Sequence, residues 1–218
     1  MKKVLVLILL LTMAIISSFA QEKDVTKFLG IPIDGTKEEM ISKLKEKGFT
    51  STAYDKEVLE GEFNGEDVYL FIGTNNHKVY RIMVSDKTNR NEENIRIRYN
   101  TLCKQFAEND KYLVQMMEEI ASDEDIALQI LTKKKQYQAS FYQIDKPAID
   151  KILLNKYSKE QLENTEQLSL QDQIYIAETY QNSAINKQVW FMISENIGKY
   201  YINIYYDNTL NMANGEDL

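Results

Sequence analysis

Three acidic residues around a predicted hairpin turn are the first candidates for chemistry in this sequence. The turn is expected at Asn64-Gly65, because a type I′ turn needs positive φ at both of its central positions. Alternation along the two strands then places Glu60, Glu62 and Asp67 together on the outer face of the hairpin, as an acidic cluster. Carboxylates of this kind suit a calcium ion, and a pair of them suits glycoside hydrolysis. The alternative is a solvated hairpin tip without a ligand.

A strip of aromatic residues in the last predicted hairpin is the second candidate site. If the loop of this hairpin has an even number of residues, one face is apolar and carries Val189, Phe191, Ile193, Tyr200, Ile202 and Ile204. The opposite face carries the aromatic strip, which consists of Trp190, Met192, Tyr201 and Tyr205. Binding surfaces favour Trp and Tyr, which combine a large apolar area with a polar group. The strip therefore predicts a surface for a carbohydrate or a protein, unless helices cover it and the rings belong to the core.

The residues that most enzyme chemistries need are scarce. His77 is the single histidine and falls in a predicted hairpin loop, while Cys103 is the single cysteine and falls on the apolar stripe of a predicted helix. A small buried residue is usual at such a position, so Cys103 is expected to be structural. The sequence contains no nucleophile elbow, phosphate-binding loop, dinucleotide fingerprint or zinc-binding helix. We therefore expect no catalytic residues and no cofactor.

The charge and the cysteine content restrict the partners of the chain. The 218-residue sequence has a net charge of −7. Because an acidic chain gains no counterion release on a phosphate backbone, nucleic acid is not an expected partner, and an anionic membrane surface is disfavoured. A single cysteine cannot form a disulfide within the chain, so stability must come from packing.

The first twenty residues have the layout of a secretory signal peptide. Two lysines precede an uncharged, mainly apolar run over residues 4–16, and small residues at 18 and 20 predict cleavage between Ala20 and Gln21. Removing this leader, which contains two lysines and no acid, changes the net charge from −7 to −9. Because residue 21 is not a cysteine, no lipid or other stable membrane anchor is expected. The sequence thus predicts a soluble protein that is periplasmic or secreted by a bacterium.

The elements that would position the two candidate sites follow from capping signals and apolar periodicity. Thr36 and Glu39 form a capping box that opens the first helix, and Gly48 ends it. Asn89 or Asn91 caps a second helix with a stripe of apolar residues. Further helices are predicted to start near residues 145, 158 and 169. Strands are predicted on both sides of the turn at 64–65 and at 79–85, 126–132, 137–144, 188–194 and 199–206.

The predicted order of elements is α-βββ-α-ββ-αα-ββ. Because the strands occur as hairpins, we expect an α+β fold in which an antiparallel sheet carries helices mainly on one face. No flexible linker interrupts residues 21–218, which are expected to form a single domain. The alternative is two similar subdomains over residues 27–110 and 111–218.

Two resemblances to known families accompany these patterns. The segments FLGIPIDG (28–35), NNHKVYRIMV (75–84) and NGEDL (214–218) resemble those of an uncharacterised family of secreted bacterial proteins. This resemblance covers most of the chain after the leader and implies no activity. The helix that opens at Gly35-Thr36 and ends at Gly48-Phe49 before a strand meander is similar to β-lactamase-inhibitor-protein-like modules. Those modules are small α+β units that bind partners on a sheet face, so the similarity implies a binding role.

Three functions are consistent with the sequence. The first is an exported, soluble, non-enzymatic binding protein that uses the aromatic strip. The second is a carboxylate-based glycan hydrolase that uses the acidic cluster. The third is a structural component of the envelope that acts by oligomerisation.

Overall fold

The computed structural model describes residues 24–213 of the chain. The predicted signal peptide and its cleavage site lie outside the described residues. Within them, the chain forms a two-stranded hairpin, an eight-stranded antiparallel sheet and six α-helices. This is the α+β fold that the sequence predicts. No helix within residues 24–213 combines the length and the apolar character needed to cross a lipid bilayer.

The large sheet has the strand order β3-β4-β5-β6-β10-β9-β8-β7, so β6 and β10 meet at its centre. The N-terminal hairpin consists of β1 (Lys27–Phe28) and β2 (Ile31–Pro32). The strands of the sheet are β3 (Thr50–Ser51), β4 (Leu59–Phe63), β5 (Glu66–Asn75), β6 (Lys78–Asp86), β7 (Tyr112–Met116), β8 (Gln138–Gln143), β9 (Lys187–Asn196) and β10 (Lys199–Asn208). The helices are α1 (Lys37–Glu46), α2 (Glu92–Ala107), α3 (Ile126–Lys133), α4 (Lys146–Leu153), α5 (Lys159–Glu163) and α6 (Leu170–Ala184).

Both predicted hairpins that carry candidate residues form with the expected register. Asn64 and Gly65 have φ angles of 53° and 75°, as a type I′ turn requires. This turn places Glu62 directly opposite Asp67. The loop between β9 and β10 also has two residues, Ile197-Gly198, and the strands pair without a register shift. The even loop length separates an apolar face from the aromatic strip as predicted.

The principal core lies between one face of the sheet and the helices α1, α2 and α3. We call this side of the sheet the core face. A single row of side chains crosses six strands on it, each at most 1% exposed: Leu59, Leu70, Val84, Ile204, Phe191 and Ala139. Helix α2 buries the predicted stripe of Ile95, Tyr99, Leu102 and Phe106 against this face. The predicted helix stripe and the predicted apolar strand face thus pack against each other.

A smaller apolar cluster forms around α4, α5 and α6 at the β7–β8 end of the sheet. Leu113 and Tyr142 pack against this cluster. These two residues are opposite each other in the register and alternate with the core-face residues Val114 and Phe141. They therefore point to the other side of the sheet, where α4 to α6 gather at one end. The rest of that side carries the aromatic strip.

Residues 126–132 form a helix, and the prediction of a strand there is wrong. The Asp125 side chain caps α3, and Ile126 and Ile130 lie one turn apart toward the core, while Lys134 ends the helix in a left-handed conformation. In a segment of eight residues, an apolar pair at helical spacing is difficult to distinguish from strand alternation. The strand that pairs with β8 is instead β7, which the sequence analysis missed.

A buried ionic network ties the start of α2 to the sheet. The side chain of Asp86 is 1% exposed and lies 3.0 Å from Arg90 and 3.3 Å from Arg98. Arg90 also pairs with Glu66 at 2.6 Å. Burial raises the pKa of Asp86, while the two arginines oppose that rise. Because each charge has a partner of opposite sign, the network holds the end of β6 against α2.

Candidate functional site

The aromatic strip lies on the side of the sheet opposite the core. Tyr205 is opposite Trp190, and Tyr201 is opposite Ser194, so their side chains share one side with Met192. All four residues of the strip are partly exposed. None of them belongs to either apolar cluster. We call this surface of β5, β6, β10 and β9 the open face.

Trp190 and Tyr205 form a stacked pair at the centre of the open face. Their ring centroids are 3.9 Å apart and their planes differ by 11°. The residue opposite Trp190 on β8 is Ser140, whose side chain is short. The side of the indole that faces β8 therefore has no aromatic neighbour among the described residues.

Arg81 on β6 extends this pair into a larger cluster. Its guanidinium carbon lies 4.9 Å from the ring centroid of Tyr205 and 5.5 Å from that of Trp190. The ring of Tyr80 is 5.6 Å from the same carbon. Three aromatic rings thus surround one cation, an arrangement that cation–π attraction stabilises.

The carboxylate of Asp207 fixes Arg81 and Trp190 relative to each other. Its Oδ1 accepts a hydrogen bond from Nε of Arg81 at 2.6 Å, and its Oδ2 accepts one from Nη2 at 2.7 Å. The same Oδ2 accepts the indole N–H of Trp190 at 2.9 Å. The hydrogen bond with Asp207 raises the pKa of Arg81. Because the Asp207 side chain is only 1% exposed, these charge-assisted bonds form in a largely dry environment.

A β-bulge brings Tyr80 onto the open face. Arg81 pairs with Gly73 and Val79 pairs with Thr74, so Tyr80 has no partner on β5. Its ring lies beside Gly73, where a Cβ atom would come within 3.1 Å of Cζ of the tyrosine. Bulges commonly redirect a side chain in this way. We refer to Tyr80, Arg81, Trp190, Tyr205 and Asp207 as the aromatic–arginine cluster.

Sequence reasoning found Trp190 and Tyr205 but missed the other three members of this cluster. Arg81 and Asp207 are 126 residues apart in the chain, and they meet because β6 pairs with β10. Neither hairpin pattern contains information on that pairing. The sequence does contain one indication that Asp207 belongs to the cluster, because alternation along β10 puts Asp207 on the same face as Tyr205.

Beside the aromatic strip, the side-chain oxygen of Asn203 is buried without a hydrogen-bond partner among the described residues. Asn203 is opposite Met192 and lies between Tyr201 and Tyr205 in the pattern of β10. It is 7% exposed and donates a hydrogen bond to Oγ of Ser194 at 2.8 Å. Its Oδ1 has no hydrogen-bond partner among the described residues. Buried acceptors of this kind are rare and costly, so the open face is not a simple apolar surface.

The acidic cluster stays on the β4–β5 hairpin and does not join the aromatic–arginine cluster. Glu62 and Asp67 are exposed, whereas Glu60 forms an ion pair with Lys87 at 2.6 Å. Over residues 24–213, no three or more His, Cys, Asp or Glu side chains are arranged to hold a metal ion. This geometry gives the predicted calcium site no support, and the hydrolase site stays a prediction.

The single histidine and the single cysteine lie in different environments, one exposed in a turn and the other buried in the core. His77 is exposed in the turn between β5 and β6 with a φ of 61°. Cys103 is buried in the principal core, and burial raises its pKa to about 11. A thiol with such a pKa is protonated at neutral pH. Cys103 therefore has the structural position that the sequence predicts.

The aromatic–arginine cluster offers ring surfaces and hydrogen-bond donors to a ligand. It presents an indole, two phenols and a guanidinium group whose side chain is 25% exposed, while its carboxylate is buried and fully engaged. Comparison with protein-family models, curated proteins and solved structures found no match. Function must therefore be inferred from the open face itself.

Proposed function

We propose that this protein is a non-enzymatic binding module that receives a carbohydrate or protein ligand on its open face. The observation that carries the proposal is the fixed geometry of the aromatic–arginine cluster. Asp207 holds Trp190 and Arg81 in place from within the sheet. Aromatic and arginine side chains dominate binding hot spots, and side chains that are already fixed lose little entropy when a ligand arrives.

A carbohydrate is the ligand that the cluster suits better. The indole of Trp190 has one side turned toward the short side chain of Ser140, which leaves a flat apolar surface for the C–H groups of a sugar ring. Arg81 lies beside it with donors for ring hydroxyls. A protein ligand would use the same rings as anchors, but it would also need a wider contact area.

The proposed binding module acts outside the cytoplasm. This part of the proposal rests on the first twenty residues, whose basic start, apolar run and small residues at 18 and 20 are typical of an exported chain. N-terminal sequencing of the protein recovered from a periplasmic or culture fraction tests it. A first residue of Gln21 is the expected result, and an intact leader would contradict export.

A glycan array tests the ligand and the site together. We expect the wild-type protein to bind at least one class of glycan, and Trp190→Ala to lose that binding by about tenfold or more, a loss typical of a hot-spot residue. Tyr175→Ala is the matched control, because Tyr175 is a 38% exposed aromatic residue on α6 whose ring lies beside that of Tyr157 and not on the open face. Binding that survives Trp190→Ala would refute the site.

Fluorescence provides an independent check, since Trp190 is the single tryptophan of the chain. Its emission should be accessible to a neutral quencher and should change when a glycan binds. A strongly blue-shifted, protected emission in the free protein would contradict an accessible cluster. If no glycan binds but the wild type captures an envelope protein that Trp190→Ala does not, the ligand is a protein.

A further inference from the structure

A cavity lies at the end of the sheet where β9 begins, on the side of the core face. It has a volume of about 730 Å³ and lies between the N-terminal hairpin, the start of α4 and β7. This volume is within the range of small-molecule sites in proteins. None of the members of the aromatic–arginine cluster lines it. The cavity is therefore separate from the open face.

A buried lysine is the central feature of this cavity. The side chain of Lys187 is 4% exposed, and its Nζ lies 2.5 Å from Oδ1 of Asp24. The side chain of Asp24, in contrast, is 70% exposed. A buried ammonium group is costly without a negative partner, so Lys187 requires a carboxylate at this position. The carboxylate that it has is at the surface, where another can replace it.

The walls of the cavity suit a ligand that is apolar except at one polar end. Its apolar lining consists of Val25, Leu29, Phe63, Ile144 and Pro147. Tyr112 and Tyr206 also line it and hydrogen-bond each other, and burial raises the pKa of both phenols. Gln143 accepts a hydrogen bond from the backbone N–H of Lys27 at 2.7 Å and fixes the hairpin to this wall.

Acidic and basic side chains line the cavity in equal number: Asp24, Asp110, Asp145 and Asp150 on one side of the balance, and Lys27, Lys111, Lys146 and Lys187 on the other. Lys146, which also lines it, is already paired with Asp150 at 3.1 Å. A single carboxylate that takes the place of Asp24 on Lys187 keeps this balance of charge, whereas a phosphate or a dicarboxylate would add a second negative charge.

We propose that this cavity binds a small organic monocarboxylate with an aliphatic or aromatic body. Its carboxylate takes the place of Asp24 on Lys187, and its body lies against the apolar walls. No bond forms or breaks in this step. The exchange replaces one ion pair with another and adds the burial of the apolar body, which favours the ligand over water.

Calorimetry with 4-phenylbutyrate tests the proposal. The Asp24→Asn variant removes the competing carboxylate, so it should bind this acid about tenfold more tightly than the wild type, as expected for access to a buried charge. The neutral 4-phenylbutyramide should bind neither protein measurably, and the dianion phenylsuccinate should bind Asp24→Asn more weakly than 4-phenylbutyrate does. Equal binding of the acid and the amide, or no gain in Asp24→Asn, would overturn the proposal.

Two further variants separate binding from folding and from the open face. The double variant Asp24→Asn, Lys187→Met removes both charges, so it leaves no unpaired ion, and it should fold but lose the acid. Trp190→Ala should bind the acid like the wild type, because Trp190 does not line the cavity. A tetrapeptide with a free C-terminal phenylalanine completes the set of probes. Binding of this peptide without binding of 4-phenylbutyrate would overturn the assignment to a free acid.

Discussion

The indole N–H of Trp190 donates a hydrogen bond to Oδ2 of Asp207, at 2.9 Å, across two paired strands. The two residues are not directly opposite, because Trp190 pairs with Tyr205 and Asp207 pairs with Gln188. The bond therefore runs diagonally on the open face. It joins the stacked rings of Trp190 and Tyr205 to a carboxylate that also holds Arg81, so a change at one residue affects the whole cluster.

Asp207→Asn should destabilise the protein and loosen the cluster. The amide has one acceptor oxygen and no charge, so it cannot bind both nitrogens of Arg81 and the indole at once. We expect a loss of about 2 kcal/mol in the free energy of unfolding, typical of hydrogen bonds to a charged group. Urea denaturation measures this loss, and Trp190 emission should shift to longer wavelength in the folded variant.

Asp67→Asn is the matched control for this change, because Asp67 is an exposed aspartate on the β4–β5 hairpin. Its free energy of unfolding should stay within about 0.5 kcal/mol of the wild type. Equal midpoints for the two variants would show that Asp207 does not hold the cluster together.

The features of the fold that could be predicted are those that local chemistry decides. A two-residue turn at Asn64-Gly65 fixes the register of β4 and β5, and the period of two then assigns every side chain to a face. The capping box of Thr36 and Glu39 likewise forms as predicted, since its hydrogen bonds lie within four residues. In both cases the deciding contacts are close in sequence.

The features that could not be predicted depend on distant contacts or on weak periodicity. β6 pairs with β10, and this pairing alone brings Arg81 to Asp207. Helix α3 was mistaken for a strand because its burial depends on Ile126 and Ile130 alone. The bulge that redirects Tyr80 shifts the register of β5 and β6 just beyond their two-residue turn at Asn76-His77, so the turn alone does not predict the face on which Tyr80 lies.

Ile197→Asn should stabilise the protein. Ile197 is 92% exposed at the tip of the β9–β10 hairpin and has a φ of 52°, a conformation that β-branched residues rarely adopt. Asparagine tolerates this conformation, so we expect the free energy of unfolding to rise by about 1 kcal/mol. Urea denaturation measures the gain.

Ile197→Val is the control, because valine keeps the branched carbon and should give no comparable gain. Equal stability of both variants would refute strain at this turn.

Cys103 should resist thiol reagents in the folded protein. Burial raises its pKa to about 11, so at pH 8 the thiolate fraction is on the order of one in a thousand, and the sulfur is enclosed by the core. We expect Ellman's reagent to modify the native protein far more slowly than the protein in concentrated urea. The modification rate in the native state should follow the unfolding rate or the free energy of opening. Complete modification within seconds under native conditions would contradict the buried position.

Asp172 should make the stability of the apolar cluster around α4, α5 and α6 depend on pH in the acidic range. Its carboxylate accepts hydrogen bonds from Ser169 at 2.6 Å and from Tyr157 at 2.7 Å, and these bonds, together with Lys156, lower its pKa to about 2. Because the unfolded value is about 3.9, this carboxylate stabilises the fold above that pH and loses its contribution as the pH falls through about 2. The difference in stability between the wild type and Asp172→Asn should therefore be present at pH 6 and vanish near pH 2.

In Tyr157→Phe, which lacks one donor, a carboxyl NMR titration should show the pKa of Asp172 closer to its ordinary value. A difference in stability that does not change with pH would contradict this role of the carboxylate.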